Sequence, residues 1–448
     1  MYETIIIGAG LAGLSAAYHL QEYKTLILER EINPGGRVRT RKIDFHCYDV
    51  GAVLGYNHES VPHGFSPPEA FEEPGPIGLF IDGKIHFGKS VIECLSPIIT
   101  PDSTEFATLL AVASGTLSPT CLPQQHRDIL NAFFQVIHPG NIEEYLPAFH
   151  AHALLNYRPR HYLTGNRGLI DAYCQKTQAC FEYEAKVFSI KKSGKYIGVS
   201  FKKNGIFRRA LARAVIVATP APIAASLIPD MSDLCRYFLQ SLRYGRFTVV
   251  ALGYDAFSCD QDFSYIVTPD LPITTIYKTT FPGSRTTIFL VYYCDDASRE
   301  TWQLPENELI AQTKAYIKSV GLPINNAEFR FAEAHRWEYG GTIIAPESHK
   351  LLHIDTLNAA PGIYLAGDYL HSDFPYGMDA AVKSGMETAK HVRCFLQDTY
   401  HDRKTDHNAE RLSTQQSLLI KQCFNKLMDL AQEACQRPMP MICIPPKP

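Results

Sequence analysis

The chain opens on a change of hydrophobic period. Residues 2–7, Tyr-Glu-Thr-Ile-Ile-Ile, end in an uncharged β-branched run, the pattern of a strand buried on both faces. Gly8-Ala-Gly10-Leu-Ala-Gly13 interrupts the run, a helical stretch follows, and a second apolar run, Thr25-Leu-Ile-Leu28, stops at Glu29. Residues 1–60 therefore read as the β-α-β start of a parallel sheet. Two short apolar runs around Asp82-Gly83 predict a hairpin at residues 79–87. Residues 61–76, rich in proline and glycine, read as a loop. Residues 101–160 carry helical spacing broken at Pro119, Pro123, Pro139 and Pro159, with helices expected over 125–136 and 142–155. A turn at Gly165-Asn-Arg-Gly168 enters another helix, and strands are expected over 185–191, 196–202 and 214–217. Residues 243–295 are strand-rich (247–254, 264–267, 274–277 and 286–293), and a helix is expected near 306–320. The opening pattern then returns, as a strand ending in Gly367-Asp368 and a helix beginning near Pro375.

The end of the chain differs. Ser413-Thr-Gln-Gln416 reads as a capping box, and Leu419, Cys423, Leu427, Leu430 and Ala434 mark one face of a helix. Such a face packs on its own chain or offers a contact for a partner or an oligomer. The tail from Arg437 to Pro448 suits an extended, polyproline-like strap.

Composition narrows the class. With 46% apolar and 20% charged residues in 448, the chain has the balance of a globular protein with core for two or three domains. A formal net charge of −3 gives no basic surplus for nucleic acid, and no lysine-rich block points to an anionic membrane. None of the twelve cysteines forms a Cys-x-x-Cys pair, and no histidine spacing suggests metal ligands, so no metal site is expected. No uninterrupted apolar stretch is long enough for a transmembrane helix, and the first motif begins too near Met1 for a signal peptide. A cytoplasmic protein is expected.

Gly8-x-Gly10-x-x-Gly13 between a strand and a helix is a dinucleotide-binding turn. Gly8 permits the tight turn, Gly10 the approach of a pyrophosphate, and Gly13 the close packing of helix on strand. The helix starting at Leu11 and Ala12 would turn free N–H groups and the positive end of its dipole towards phosphates. Glu29 stands where a carboxylate can take ribose hydroxyls. Gly35-Gly36-Arg37, after Arg30 and Pro34, gives a second point of close approach with a guanidinium suited to phosphate oxygens, or else a plain turn beside a solvated charge. Asp49-Val-Gly51-Ala52 gives a third.

In these segments the chain resembles the flavin-containing amine oxidases and their desaturase, protoporphyrinogen-oxidase and renalase-like relatives, from residue 1 to about 395. The Gly8 fingerprint, the double-glycine motif Pro34-Gly-Gly-Arg37-Val-Arg-Thr40, Asp49-Val-Gly-Ala52, the strand containing Val187, the Ala218-Thr219-Pro220 element and Gly367-Asp368 followed by Gly377-Met378-Asp-Ala-Ala come in the family's order. The resemblance implies FAD, with Asp368 bonding a ribityl hydroxyl and the backbone at Gly377 and Met378 meeting the pyrimidine edge of the flavin ring, where a helix N-terminus suits negative charge. It also implies an α/β fold: a discontinuous Rossmann-type FAD domain (1–60, 162–242 and 333–400), an intertwined α+β substrate domain (77–161 and 243–332), and a C-terminal helix and proline-rich tail (401–448).

The chain departs from the amine oxidases in places. Thr248 and Val249 stand where many of them have a lysine, and Gly377 stands where the monoamine-oxidase type has an aromatic wall, with Tyr376 one residue off. Thr342 follows Gly340-Gly341 where covalently flavinylated members have cysteine, so non-covalent FAD is expected. The default expectation is removal of a hydride from a C–N bond of a small polar or aromatic, amine- or amino-acid-like substrate, with oxygen or another acceptor taking the electrons. Desaturation or aromatisation at a C–C bond is the alternative, and a flavin-stabilised scaffold without turnover is a third reading. No residue is assigned a catalytic role; Tyr277, Lys278, Trp337 and Tyr376 are the substrate-pocket candidates. Trp337 suits a pocket wall or core packing equally, and Lys278 suits a substrate carboxylate or the solvated surface.

Overall fold

Ile5, Ile6 and Ile7 are buried because the strand Tyr2–Ile7 lies inside a sheet covered on both faces. The computed structural model describes residues 1–44, 46–53, 61–63, 70–71, 75–155, 161–162, 164–280, 284–353, 358–370 and 377–401. Tyr2–Ile7 pairs in parallel with Ile206–Val217 on one edge and Thr25–Leu28 on the other. Thr25–Leu28 pairs in turn with Cys180–Glu182, and Ile206–Val217 with Ile363–Leu365, both in parallel. Alternation along the strand sends Ile5 and Ile7 into a core with Val215, Val217, Leu365 and Phe238. Towards the other face stands the helix Leu11–Tyr18, so close that a Cβ on Gly13 would come within 3.2 Å of Ile6. The first half of Ile206–Val217 leaves this parallel region. It forms an antiparallel three-stranded extension with Tyr196–Lys203 and Ala185–Ser193.

The second sheet has seven strands among the described residues, in the order Glu328–Ile343, Arg243–Asp255, Thr286–Cys294, Thr275–Thr280, Tyr265–Val267, Ile77–Ile81 and Lys84–Gly88. One face packs on the helices Thr104–Ala113, Gln124–Phe134 and Ala148–Leu155, the other on Glu306–Ser319. Residues Met1–Arg393 form one compact unit containing both sheets; the second unit, Cys394–Pro448, is described only as far as His401.

The structure departs from the sequence expectations at definite places. The helix expected over 142–155 is a 3-10 turn at Ile142–Glu144 followed by the separate helix Ala148–Leu155, because Pro147 cannot donate the backbone bond that would join them. The strand Glu328–Ile343 crosses the expected domain boundary at 332/333, since its alternating side chains suit the second sheet along its whole length. Within the expected loop 61–76, Ala70–Phe71 pairs with His161–Tyr162. The expected helix at 413–434, the tail and Tyr376 lie outside the described residues.

The two-stranded ribbon Thr40–Ile43 with His46–Asp49 is pinned to the second sheet at Glu333. Arg41 forks onto both carboxylate oxygens at 3.1 and 3.0 Å, Tyr48 donates to Oε1 at 2.7 Å, and His335 Nε2 lies 3.1 Å away. Burial pushes the Glu333 carboxyl up, but the bonds from His335, Arg41 and Tyr48 outweigh it and hold the group at about 2, against an ordinary 4.5. A carboxyl lowered in the folded state stabilises fully above its unfolded value and loses that effect as pH falls through the folded one. Glu333→Gln should therefore cost about 1–3 kcal/mol at neutral pH. It should also flatten the loss of thermal stability between about pH 4.5 and 2. Melting curves over that range that run parallel for the two proteins would sink this assignment.

Candidate functional site

The site begins where the parallel strands end. Gly8 takes φ = +103° as the chain leaves the first strand, and a Cβ there would lie 2.7 Å from the Ala218 carbonyl oxygen. A Cβ on Gly13 would lie 2.1 Å from the Gly8 carbonyl oxygen, so only glycine lets the helix sit this close. Gly10 is the N-cap residue of Leu11–Tyr18, and no side chain caps that helix. A Cβ on Gly10 would meet nothing within 4 Å, so open space lies in front of the free N–H groups. Leu11 and Ala12 form the buried first turn. Glu29 is held from both sides: Ala9 N–H donates to Oε2 at 2.6 Å and Glu31 N–H to Oε1 at 3.0 Å. Each oxygen keeps room for a further donor. Arg30 points to solvent, 3.1 Å from Glu31.

The double-glycine segment docks on this turn, with Gly35 N–H donating to the Ala9 carbonyl at 2.9 Å. The Arg37 guanidinium then reaches 2.6 Å to Asp368 Oδ1, 331 residues away. The carboxylate of Asp368 is 2% exposed. Its other oxygen, Oδ2, has no hydrogen-bond partner among the described residues. A buried carboxylate oxygen without a donor is costly, so this atom is built to receive one from a bound molecule. The Thr219 hydroxyl is likewise buried without a partner among the described residues, at the exit of the strand beside Gly8. Gly377 takes φ = +96° with open space where a Cβ would be, and accepts from Ala381 at the head of the helix Met378–His401. Met378 begins that helix and is buried. The helix packs on Leu11–Tyr18, where Ser15 Oγ donates to Val382 O at 2.7 Å. These positions fit FAD: Gly10 would face its phosphates, Asp368 Oδ2 would accept a ribityl hydroxyl, and Gly377 would stand by the ring edge.

Other expected contacts serve the protein's own chain. A Cβ on Gly51 would lie 2.0 Å from the Arg37 carbonyl oxygen, and Ala52 N–H donates to that oxygen at 2.9 Å. Gly51 and Ala52 thus position Arg37 from behind. Asp49 accepts Asn166 N–H at 2.9 Å and the Thr40 hydroxyl, and burial pushes its carboxyl up to about 7 against those bonds. Val187 packs on the first core beside a register shift in its strand.

The pocket candidates divide. Tyr277 and Trp337 lie on the face of the second sheet that turns to the helices, with Phe247 and Tyr292 between them. Tyr277 is buried and its hydroxyl donates to Val136 O at 3.0 Å. Trp337 Nε1 donates to Val50 O at 2.7 Å, and the Arg39 guanidinium lies 5.0 Å from its ring. Lys278 does not join them. One residue along an extended strand reverses the side chain, which lies over Phe263 on the opposite face and pairs with Asp262. Among the described residues no cluster of His, Cys, Asp or Glu is arranged to hold a metal ion.

Sequence reasoning missed several neighbours of the site. Ser384 Oγ accepts Gly367 N–H at 3.0 Å and fixes the turn that presents Asp368. Tyr244 is fully buried, its hydroxyl accepting Ala221 N–H at 3.0 Å, and burial with the nearby Asp368 charge pushes it up to about 12. Asn166 Nδ2 donates to Ala52 O at 2.6 Å. A helix serine at a seventeen-residue spacing, or a tyrosine starting a strand, carries no local signal. Asp368→Ala should lower the flavin bound per protein at least about ten-fold, the worth of one charge-assisted bond. Asp368→Asn, which still accepts a hydroxyl, should retain more. Visible absorbance of the purified proteins checks this, and full flavin content in Asp368→Ala would remove the assignment of Oδ2.

Comparison with known proteins agrees with this fold. No curated protein sequence matches the chain. Among solved structures, a triple mutant of putrescine oxidase is similar with a TM-score of 0.69 and 14% identity, covering 88% of this chain and 99% of that one. Cyclohexylamine oxidase from Brevibacterium oxydans IH-35A is similar with a TM-score of 0.67 and 14% identity, over 88% and 99%. A provisionally assigned protoporphyrinogen oxidase from Exiguobacterium sp. 255-15 has a TM-score of 0.66 and 16% identity, over 88% and 98%. These likenesses show the fold. The NAD(P)-binding Rossmann-like domain matches residues 6–73, and the family described as flavin containing amine oxidoreductase matches residues 120–393, well over half the chain. The chain belongs to the flavin containing amine oxidoreductase family and is a FAD-dependent oxidoreductase.

Proposed function

We propose that the protein oxidises a C–N bond of a small aromatic or polar amine, with non-covalently held FAD. The observation that carries this reading is the ring-rich face of the second sheet, where Phe247, Tyr277, Tyr292 and Trp337 lie together on one side. Aromatic faces hold a flat or hydrophobic substrate body by area and attract an ammonium centre by their quadrupoles. Bound FAD would supply the hydride acceptor, leaving the protein to orient the substrate carbon and exclude water. The product iminium would then be hydrolysed by water. Thr342, 1% exposed and paired in the sheet with Tyr244, supports non-covalent binding because a hydroxyl there cannot form the thioether a cysteine would. The fold and site are compatible with a cytoplasmic enzyme that passes its electrons to oxygen or another acceptor.

One observation favours C–C desaturation as the second reading. Thr248 and Val249 are both fully buried; Thr248 is bonded to Ser298 and Val249 sits in the core, so neither offers an amine-oxidase lysine.

The purified yellow protein, mixed anaerobically with aromatic and aliphatic amines, amino acids and dihydro-aromatic compounds, decides between them. Amines should bleach the flavin absorbance. Bleaching by dihydro-aromatics alone overturns the C–N assignment. A flavin that neither the candidates nor dithionite through a mediator can bleach would leave only the scaffold reading. Acid precipitation should release the yellow colour into the supernatant; colour retained in the pellet would overturn non-covalent binding.

A further inference from the structure

The antiparallel extension of the first sheet carries a surface the oxidoreductase chemistry does not use. Between Ala185 and Arg213 there are nine lysines and arginines and no aspartate or glutamate, in a chain whose formal net charge is −3. The strands Tyr196–Lys203 and Ile206–Val217 meet at a two-residue turn, Asn204-Gly205, with φ of +49° and +79°. Directly after the turn stand Ile206, 58% exposed, and Phe207, 70% exposed. Phe188, 48% exposed, comes from the neighbouring strand, and its ring meets that of Phe207 edge-on at 5.6 Å. Lys202 Nζ lies 5.6 Å from the Phe207 ring and Arg208 follows Phe207 in the strand, while Lys203 pairs with Glu182 and the Arg209 guanidinium lies against Gly198.

Apart from the Phe188–Phe207 ring contact, these large apolar side chains leave about half or more of their area to solvent. Clustered at the end of a hairpin with Lys202 over the Phe207 ring and Arg208 next in the strand, they suit a surface that is greasy within and negative without. We propose that this hairpin docks the protein on an anionic lipid bilayer, with Ile206, Phe207 and Phe188 entering the interface and the surrounding lysines and arginines meeting the acidic headgroups. Charge complementarity gives the sign of the surface. The branched aliphatic Ile206 beside two phenylalanines favours lipid over nucleic acid, since an aliphatic side chain offers no ring for a base to stack on. The contact is peripheral, and no helix of the described residues is long and apolar enough to cross a membrane.

The full-length protein, carrying its flavin, is floated with vesicles of pure phosphatidylcholine or with about one third phosphatidylserine, at about 0.1 and 0.5 M salt. Binding to the acidic vesicles, at least about ten-fold weaker on neutral ones and weakened again by salt, is the expected result. The double variant Ile206→Asp, Phe207→Asp should abolish flotation. Lys202→Glu should weaken it several-fold, about five-fold for each charge removed and more for a reversal. Flavin absorbance and melting temperature should be unchanged in both, since these side chains lie outside the core and the flavin site. Equal binding to neutral and acidic vesicles, or none to either, overturns the proposal. Tight binding to a fluorescent single-stranded oligonucleotide with no flotation on acidic vesicles also overturns it, in favour of a nucleic acid.

Discussion

The pair between Arg37 and Asp368 ties the molecule together. It joins the segment between the strands Thr25–Leu28 and Thr40–Ile43 to a strand end 331 residues later, at 2.6 Å, with the carboxylate almost wholly buried. A buried charge needs a partner, and a buried carboxylate needs donors for more than one lone pair. Arg37 answers for Oδ1 while Oδ2 is left facing the site. Much of the surrounding architecture serves to hold these two groups still. Gly51 and Ala52 grip the Arg37 carbonyl, Asn166 grips Ala52, and Asp49 grips the backbone of Asn166. Ser384 fixes Gly367, and the helix bearing Ser384 is locked to the first helix through Ser15. Motifs scattered along the chain thus form one connected set of bonds around a place for one ligand.

That connectivity explains how much was legible in the sequence. Gly8, Gly13 and Gly51 were readable because each is required by a backbone approach so close that any side chain would collide. Steric necessity of this kind leaves a mark in residue type. The hairpin at Asp82-Gly83 was readable for a different reason: both residues take the positive φ that the Asp-Gly pair accommodates. The function of Gly51 was not readable: glycine records that something comes near, not whether it is a ligand or the chain itself. Here it is the chain.

What the sequence did not carry was pairing. Tyr277 and Lys278 are neighbours in sequence and stand on opposite faces of a sheet, because the strand's register against Thr286–Cys294 decides which residue turns inward. The strand Glu328–Ile343 was divided between two domains because nothing local distinguishes its two halves; its continuous pairing with Arg243–Asp255 unites them. Pro147 is the contrary case, a local signal that a longer helical period concealed.

Averages conceal in a similar way. A net charge near zero argued against any anionic partner, yet it sums over a chain in which one twenty-nine-residue stretch, 185–213, carries nine basic residues and no acidic one. Folding that stretch into three adjacent strands brings Lys186, Lys202 and Arg208 towards the end where a tight turn places two exposed apolar residues. Electrostatic attraction falls off within a Debye length, about 10 Å at moderate salt, so a partner at that surface responds to the local charges, Glu182 beside Lys203 included, and not to acidic residues far along the chain. The same strands continue into Val215, Ile216 and Val217, which flank the glycine turn. One sheet therefore serves two surfaces: its parallel half ends at the cofactor site, and its antiparallel half ends in an exposed basic and apolar tip.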